Sequence, residues 1–137
     1  MNALIAGWAA GYAMAIATTF ALVFLLTRVS RTGWLDRFFA HEAPFALVSV
    51  PISIGATLGW TMIGLILGAF WLVGGFESKP GALGSPSWQF TLVAGAMALL
   101  PLPPLVIFFR RYWWLWTTMS ILFAGLFGWF MPLLAKR

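Results

Sequence analysis

The chain has no cysteine among its 137 residues. Disulfides, thiol nucleophiles and cysteine-ligated metals are therefore excluded, and cysteine usage gives no clue to redox compartment. Charge is nearly as scarce. Only 8% of residues are charged, with three Asp and Glu, eight Lys and Arg, and one histidine. Soluble domains carry about 25% charged residues, so this composition cannot cover a water-facing surface. The apolar runs at 3–27, 46–75, 88–109 and 112–134 hold no Asp, Glu, Lys, Arg or His. Proton-coupled pumps and transporters place an ionisable group inside the membrane, and these runs offer none. Neither a phosphate-binding glycine loop nor a zinc motif is present, and no serine stands in a recognisable nucleophile setting.

What is there is apolar. Hydrophobic residues make up 62% of the chain, nine are Trp and thirteen are Phe, and mean hydropathy is +0.95. The expected fold is all-α: a polytopic membrane protein with four transmembrane helices forming one domain, and a short interfacial helix between spans 1 and 2. The formal net charge of +5 is not a nucleic-acid signal, because the basic residues sit at the ends of apolar runs. The first run begins almost at Met1 with no basic region before it, and Arg28 and Arg31 follow it, which argues against a cleaved signal peptide.

The organising stretch is residues 44–76. A helix over Ile52–Val73 spans roughly 33 Å, against about 30 Å for a hydrocarbon core. On a helical wheel Ala46, Ser53, Thr57, Thr61, Gly64, Gly68 and Gly75 share one stripe, while Gly55 and Gly59 lie nearly opposite. Two small-residue faces make span 2 the expected most enclosed helix, with span 1 against one face. Pro51 predicts a kink within one long helix. In span 1, Ala3, Gly7, Gly11, Ala15 and Thr19 recur every four residues, the spacing that lets helix backbones approach closely in lipid.

Between these spans, Trp34, Leu35, Phe38 and Phe39 can share a side, with Asp36, Arg37, His41 and Glu42 pointing elsewhere; this is the expected interfacial helix. The polar residues read as a solvated face rather than a catalytic or metal cluster. His41 is the one candidate cofactor ligand, able to give one axial bond to a haem or chlorophyll shared with another subunit. An interfacial histidine that binds nothing is the favoured reading. Residues 74–87, rich in Gly, Pro and Ser, form a loop.

Span 3 offers Thr91, Ala94, Gly95 and Ala98 as a small face, then breaks. Pro101, Pro103 and Pro104 delete the helical hydrogen bonds to the carbonyls of Met97, Leu99 and Leu100. Those carbonyls need partners in hydrocarbon, and transporters use such broken helices to build binding sites; a plain kink, or a span displaced towards its N-terminal half, is the favoured reading here. Span 4 has aromatic clusters at its two ends, with Thr117, Ile121, Ala124, Gly125 and Gly128 as its expected packing face. Loops 1 and 3 carry Arg28, Arg31, Arg37, Arg110 and Arg111, against Lys79, Lys136 and Arg137 elsewhere. The positive-inside rule then puts those loops in the cytoplasm and both termini outside, with a bacterial cytoplasmic membrane as the expected location.

Small multidrug exporters are similar in size and span number, but they depend on a glutamate in the first span, where this chain has none. The glycine-arginine pattern of fluoride channels is also missing. Two readings remain. In the first, the protein is a non-catalytic membrane subunit that stabilises a larger complex, such as an electron-transfer or photosynthetic assembly. Its partners would be the lipid bilayer and other membrane subunits, not nucleic acid, with no cofactor of its own beyond contact with lipid, quinone or pigment. In the second it is a small oligomeric transporter or channel with a broken third helix, and Ser53, Thr57 and Thr61 line a polar path between protomers.

Overall fold

The computed structural model describes residues 3–29, 45–74, 87–108 and 110–136, and every element in them is helical. In chain order these are α1 (Ala3–Val29), α2 (Phe45–Val73), α3 (Trp88–Leu99) and α4 (Leu102–Phe108). A 3₁₀ turn (Arg110–Tyr112), α5 (Trp113–Gly125), a π-helical turn (Leu126–Phe130) and α6 (Met131–Lys136) follow. Four stretches are long and apolar enough to cross a membrane: Ala3–Leu25, Ser49–Val73, Trp88–Ile107 and Arg110–Ala135. The expected interfacial helix, with His41, lies outside the described residues.

Helix α2 is not the most enclosed element; α1 and the fourth span bury more of their residues. Ala3, Ala6, Ala10, Met14 and Ala15 are all buried, so small side chains bring neighbouring helices close on both sides of α1. One side meets α2, and the other meets the π turn and α6 of the fourth span. Helix α2 runs unbroken through Pro51 and lies at the edge of the bundle. Its outer face exposes Ile54, Leu58, Met62, Ile66 and Val73. The expectation that span 2 would be enclosed on two faces is therefore corrected. The stripe with Gly64 and Gly68 is covered, whereas the side with Gly55 and Gly59 is bare.

The third span packs on the fourth. Helix α3 buries Phe90, Thr91, Ala94 and Ala98. The opposing surface is bulky rather than small: Leu115, Phe123, Phe127, Met131 and Pro132 are buried, while Ile121 and Gly125 face outward. Aromatic rings fill the space between the spans. Trp60, Phe123 and Phe127 stack with centroids 4.8 to 6.3 Å apart, and fully buried Trp71 meets Phe90 edge-on at 5.0 Å. Among the small residues expected on the fourth span's packing face, Gly128 does meet α3.

Candidate functional site

The closest backbone approach is the antiparallel crossing of α1 and α2. A Cβ built on Gly7 would strike the carbonyl oxygen of Gly64, and one built on Gly64 would strike the carbonyl oxygen of Gly7. Gly11 lies against the backbone of Trp60 and Thr61, and a Cβ on Gly68 would sit 2.5 Å from the Ala3 oxygen. Each glycine thus leaves room for the other helix's carbonyl. That geometry suits weak Cα–H···O contacts and close dispersion packing, the forces that hold helices together where lipid removes the hydrophobic drive. In contrast, a Cβ at Gly55, Gly59, Gly95 or Gly125 would meet nothing within 4 Å.

Two hydroxyls of the expected polar path bond to carbonyls of their own helix. Thr57 donates to the Ser53 carbonyl at 2.7 Å, and Thr61 donates to the Thr57 carbonyl at 2.6 Å. The Thr61 backbone also lies against Gly11. Ser53 and Thr57 remain towards the outside of α2, the side that a path between protomers would require.

A polar contact between spans that was not legible from either span alone joins α3 to the π turn. The Thr91 hydroxyl lies 2.9 Å from the Gly128 carbonyl and 2.9 Å from the Ser87 carbonyl. Pro132 explains the first. It stands four residues after Gly128 and has no N–H, so the Gly128 carbonyl loses its helical donor in a place without water. Its ring would also crowd that carbonyl, and the chain widens into a π turn just before it. Gly128 lets Thr91 and Ala94 approach, with their side-chain carbons 3.6 and 3.7 Å from its Cβ position. The sequence signal was a proline four residues beyond a small residue within a span.

The break in the third span is a turn at Leu100–Pro101. The Leu100 N–H still reaches the Ala96 carbonyl at 3.0 Å, and helical bonding resumes with Leu105 N–H to the Pro101 carbonyl at 3.3 Å. At 1.5 Å per residue Pro101 stands roughly 14 Å along the span from Arg110. Pro103, Pro104 and Leu100 are exposed on the outer surface. Pro101 is exposed too, and it borders a cavity of about 340 Å³ to which all four spans contribute. Although no polar residue neighbours the break in sequence, the fold brings Thr18 and Ser120 to that cavity.

Thr18 is an exception among the threonines. Thr19, Thr57, Thr61, Thr117 and Thr118 each donate to the carbonyl four residues back. The Thr18 oxygen is shielded from solvent and has no hydrogen-bond partner within the described residues. No group of three or more His, Asp or Glu that could hold a metal occurs among the described residues. No family model, curated protein or solved structure matches the chain.

Proposed function

We propose that the protein is a non-catalytic subunit that packs against and stabilises a larger complex in the membrane. The bare side of α2 carries this reading. Gly55 and Gly59 form a small-xxx-small notch with open space above both, flanked by exposed Ile54, Leu58 and Met62. Glycine gains nothing from facing lipid, but it allows a second helix to approach closely, as Gly7 and Gly64 do within this chain. The span interiors hold no ionisable group for proton or ion chemistry, which supports the same reading. The basic residues of loops 1 and 3 favour a bacterial cytoplasmic membrane with those loops inside. An electron-transfer or photosynthetic complex is the kind of assembly such a subunit would join.

The test is native purification in mild detergent, comparing the wild type with Gly55→Leu and Gly59→Leu. The wild type should bring down partners at fixed stoichiometry. The variants should lose them while the isolated chain keeps its thermal midpoint, because neither side chain meets an internal neighbour. A lone, homogeneous wild-type particle would overturn the proposal.

A small oligomeric transporter or channel is the alternative, favoured by the break at Leu100–Pro101 beside a cavity within the bilayer. It requires flux through proteoliposomes made with the purified chain. The bonding of Thr57 and Thr61 to their own helix weighs against a path along them.

A further inference from the structure

Beyond any role in assembly, we propose that the cavity beside Pro101 is a binding site for a flat lipophilic ring system of the aromatic or quinone class, entering from the bilayer. Size is the first argument. An apolar cavity of about 150 Å³ accommodates benzene. By proportion, about 340 Å³ suits roughly fourteen non-hydrogen atoms, a bicyclic ring rather than one benzene ring. The walls give the second argument. Three of the chain's six methionines, Met14, Met97 and Met119, converge here from three different spans, together with Trp60, Trp116 and Phe123. Thioethers and aromatic faces make favourable contacts with a π system, and methionine adapts its shape to a guest. A saturated chain would gain less from such a lining.

Position is the third argument. The space runs from mid-span residues such as Met14, Trp60 and Met97 towards Leu22 and Leu105 near the span ends, all within apolar stretches, so a lipophilic guest reaches it from the hydrocarbon. The polar groups are few. Ser120 brings a hydroxyl, and the unpartnered Thr18 hydroxyl can swing towards the cavity by rotation about χ1, since threonine divides between two rotamers in helices. Both fit a guest with one or two carbonyl or hydroxyl oxygens. The break forms part of the wall. The regular helix is interrupted by the turn at Leu100–Pro101, and Pro101 and Leu105, on and after the interruption, both border the space.

The experiment uses the full chain in lipid nanodiscs, titrated with 2-methyl-1,4-naphthoquinone and read by tryptophan quenching and thermal midpoint. Saturable quenching at about one probe per chain, with a rising midpoint, is expected. Ala98→Phe fills the cavity from α3, and Leu105→Trp fills it from α4. Each should weaken binding at least tenfold, with helicity by circular dichroism serving as the control for folding. Thr18→Val should weaken binding several-fold and leave a probe lacking oxygen, 2-methylnaphthalene, unaffected. Quenching that does not saturate and is equal in wild type and both filled variants would overturn the site. Relief of the quenching by palmitic acid as effective as by 2-methylnaphthalene would overturn the ring class and leave a slot for acyl chains.

Discussion

Gly59 and Gly64 lie five residues apart on one helix, yet alanine should be tolerated at the first and destabilising at the second. At Gly59 the added methyl meets open space. At Gly64 it lands on the carbonyl oxygen of Gly7, with the Cα of Gly11 3.3 Å away. Both obstacles involve backbone atoms, so no side-chain rotation relieves the contact and the helices must separate. Overpacking of this kind costs about 1–3 kcal/mol. The usual gain for Gly→Ala in a helix, about 0.5–1 kcal/mol in water, shrinks in a bilayer because α2 stays helical even when the bundle opens. The expected net loss for Gly64→Ala is about 2 kcal/mol, roughly thirty-fold in the folding constant. Gly59→Ala should lie within about 0.5 kcal/mol of wild type. Unfolding in mixed micelles with a rising fraction of dodecyl sulfate measures both. Because Gly7→Ala disrupts the same crossing, its effect should not add to that of Gly64→Ala. Equal stabilities for Gly59→Ala and Gly64→Ala would refute the packing assigned to α1 and α2.

Thr91→Val should cost about 1–2 kcal/mol in the same assay, since it strips the buried Gly128 carbonyl of its donor. Adding Pro132→Ala, which restores a backbone N–H four residues on, should recover part of that loss, and no recovery would show that the carbonyl was satisfied otherwise. Trp71→Ala should destabilise by about 2 kcal/mol, less than the 3–5 kcal/mol of a water-soluble core, because lipid removes the transfer part of the cost. Thr57→Val and Thr61→Val should each change stability by less than about 0.5 kcal/mol, since their hydroxyls serve carbonyls of their own helix. A fall in flux on either change would instead establish the polar path.

The number of spans and the apolar character of each could be read from composition and run length alone. A chain with 8% charged residues has few folding options in a bilayer, where only helices and closed barrels satisfy the backbone. The helix break could likewise be read from Pro101, Pro103 and Pro104, since each lacks an N–H whatever surrounds it.

Which glycine faced what could not be read. A helical wheel ranks Gly55 and Gly59 equal to Gly64 and Gly68, because lipid and a neighbouring helix are equally apolar and leave no polarity signal to tell outside from inside. Only the tertiary arrangement put α1 in the middle, left one side of α2 bare and drew Thr18, Ser120 and three methionines around one cavity. The same holds for Thr91 and Gly128, 37 residues apart. Pro132 orphans a carbonyl as a matter of local chemistry, but which side chain answers it depends on how the third and fourth spans cross. The sequence by itself determined a four-span helical membrane protein and the places where its backbone lacks a donor. The packing decided which faces close, which stay open and where a partly open cavity remains.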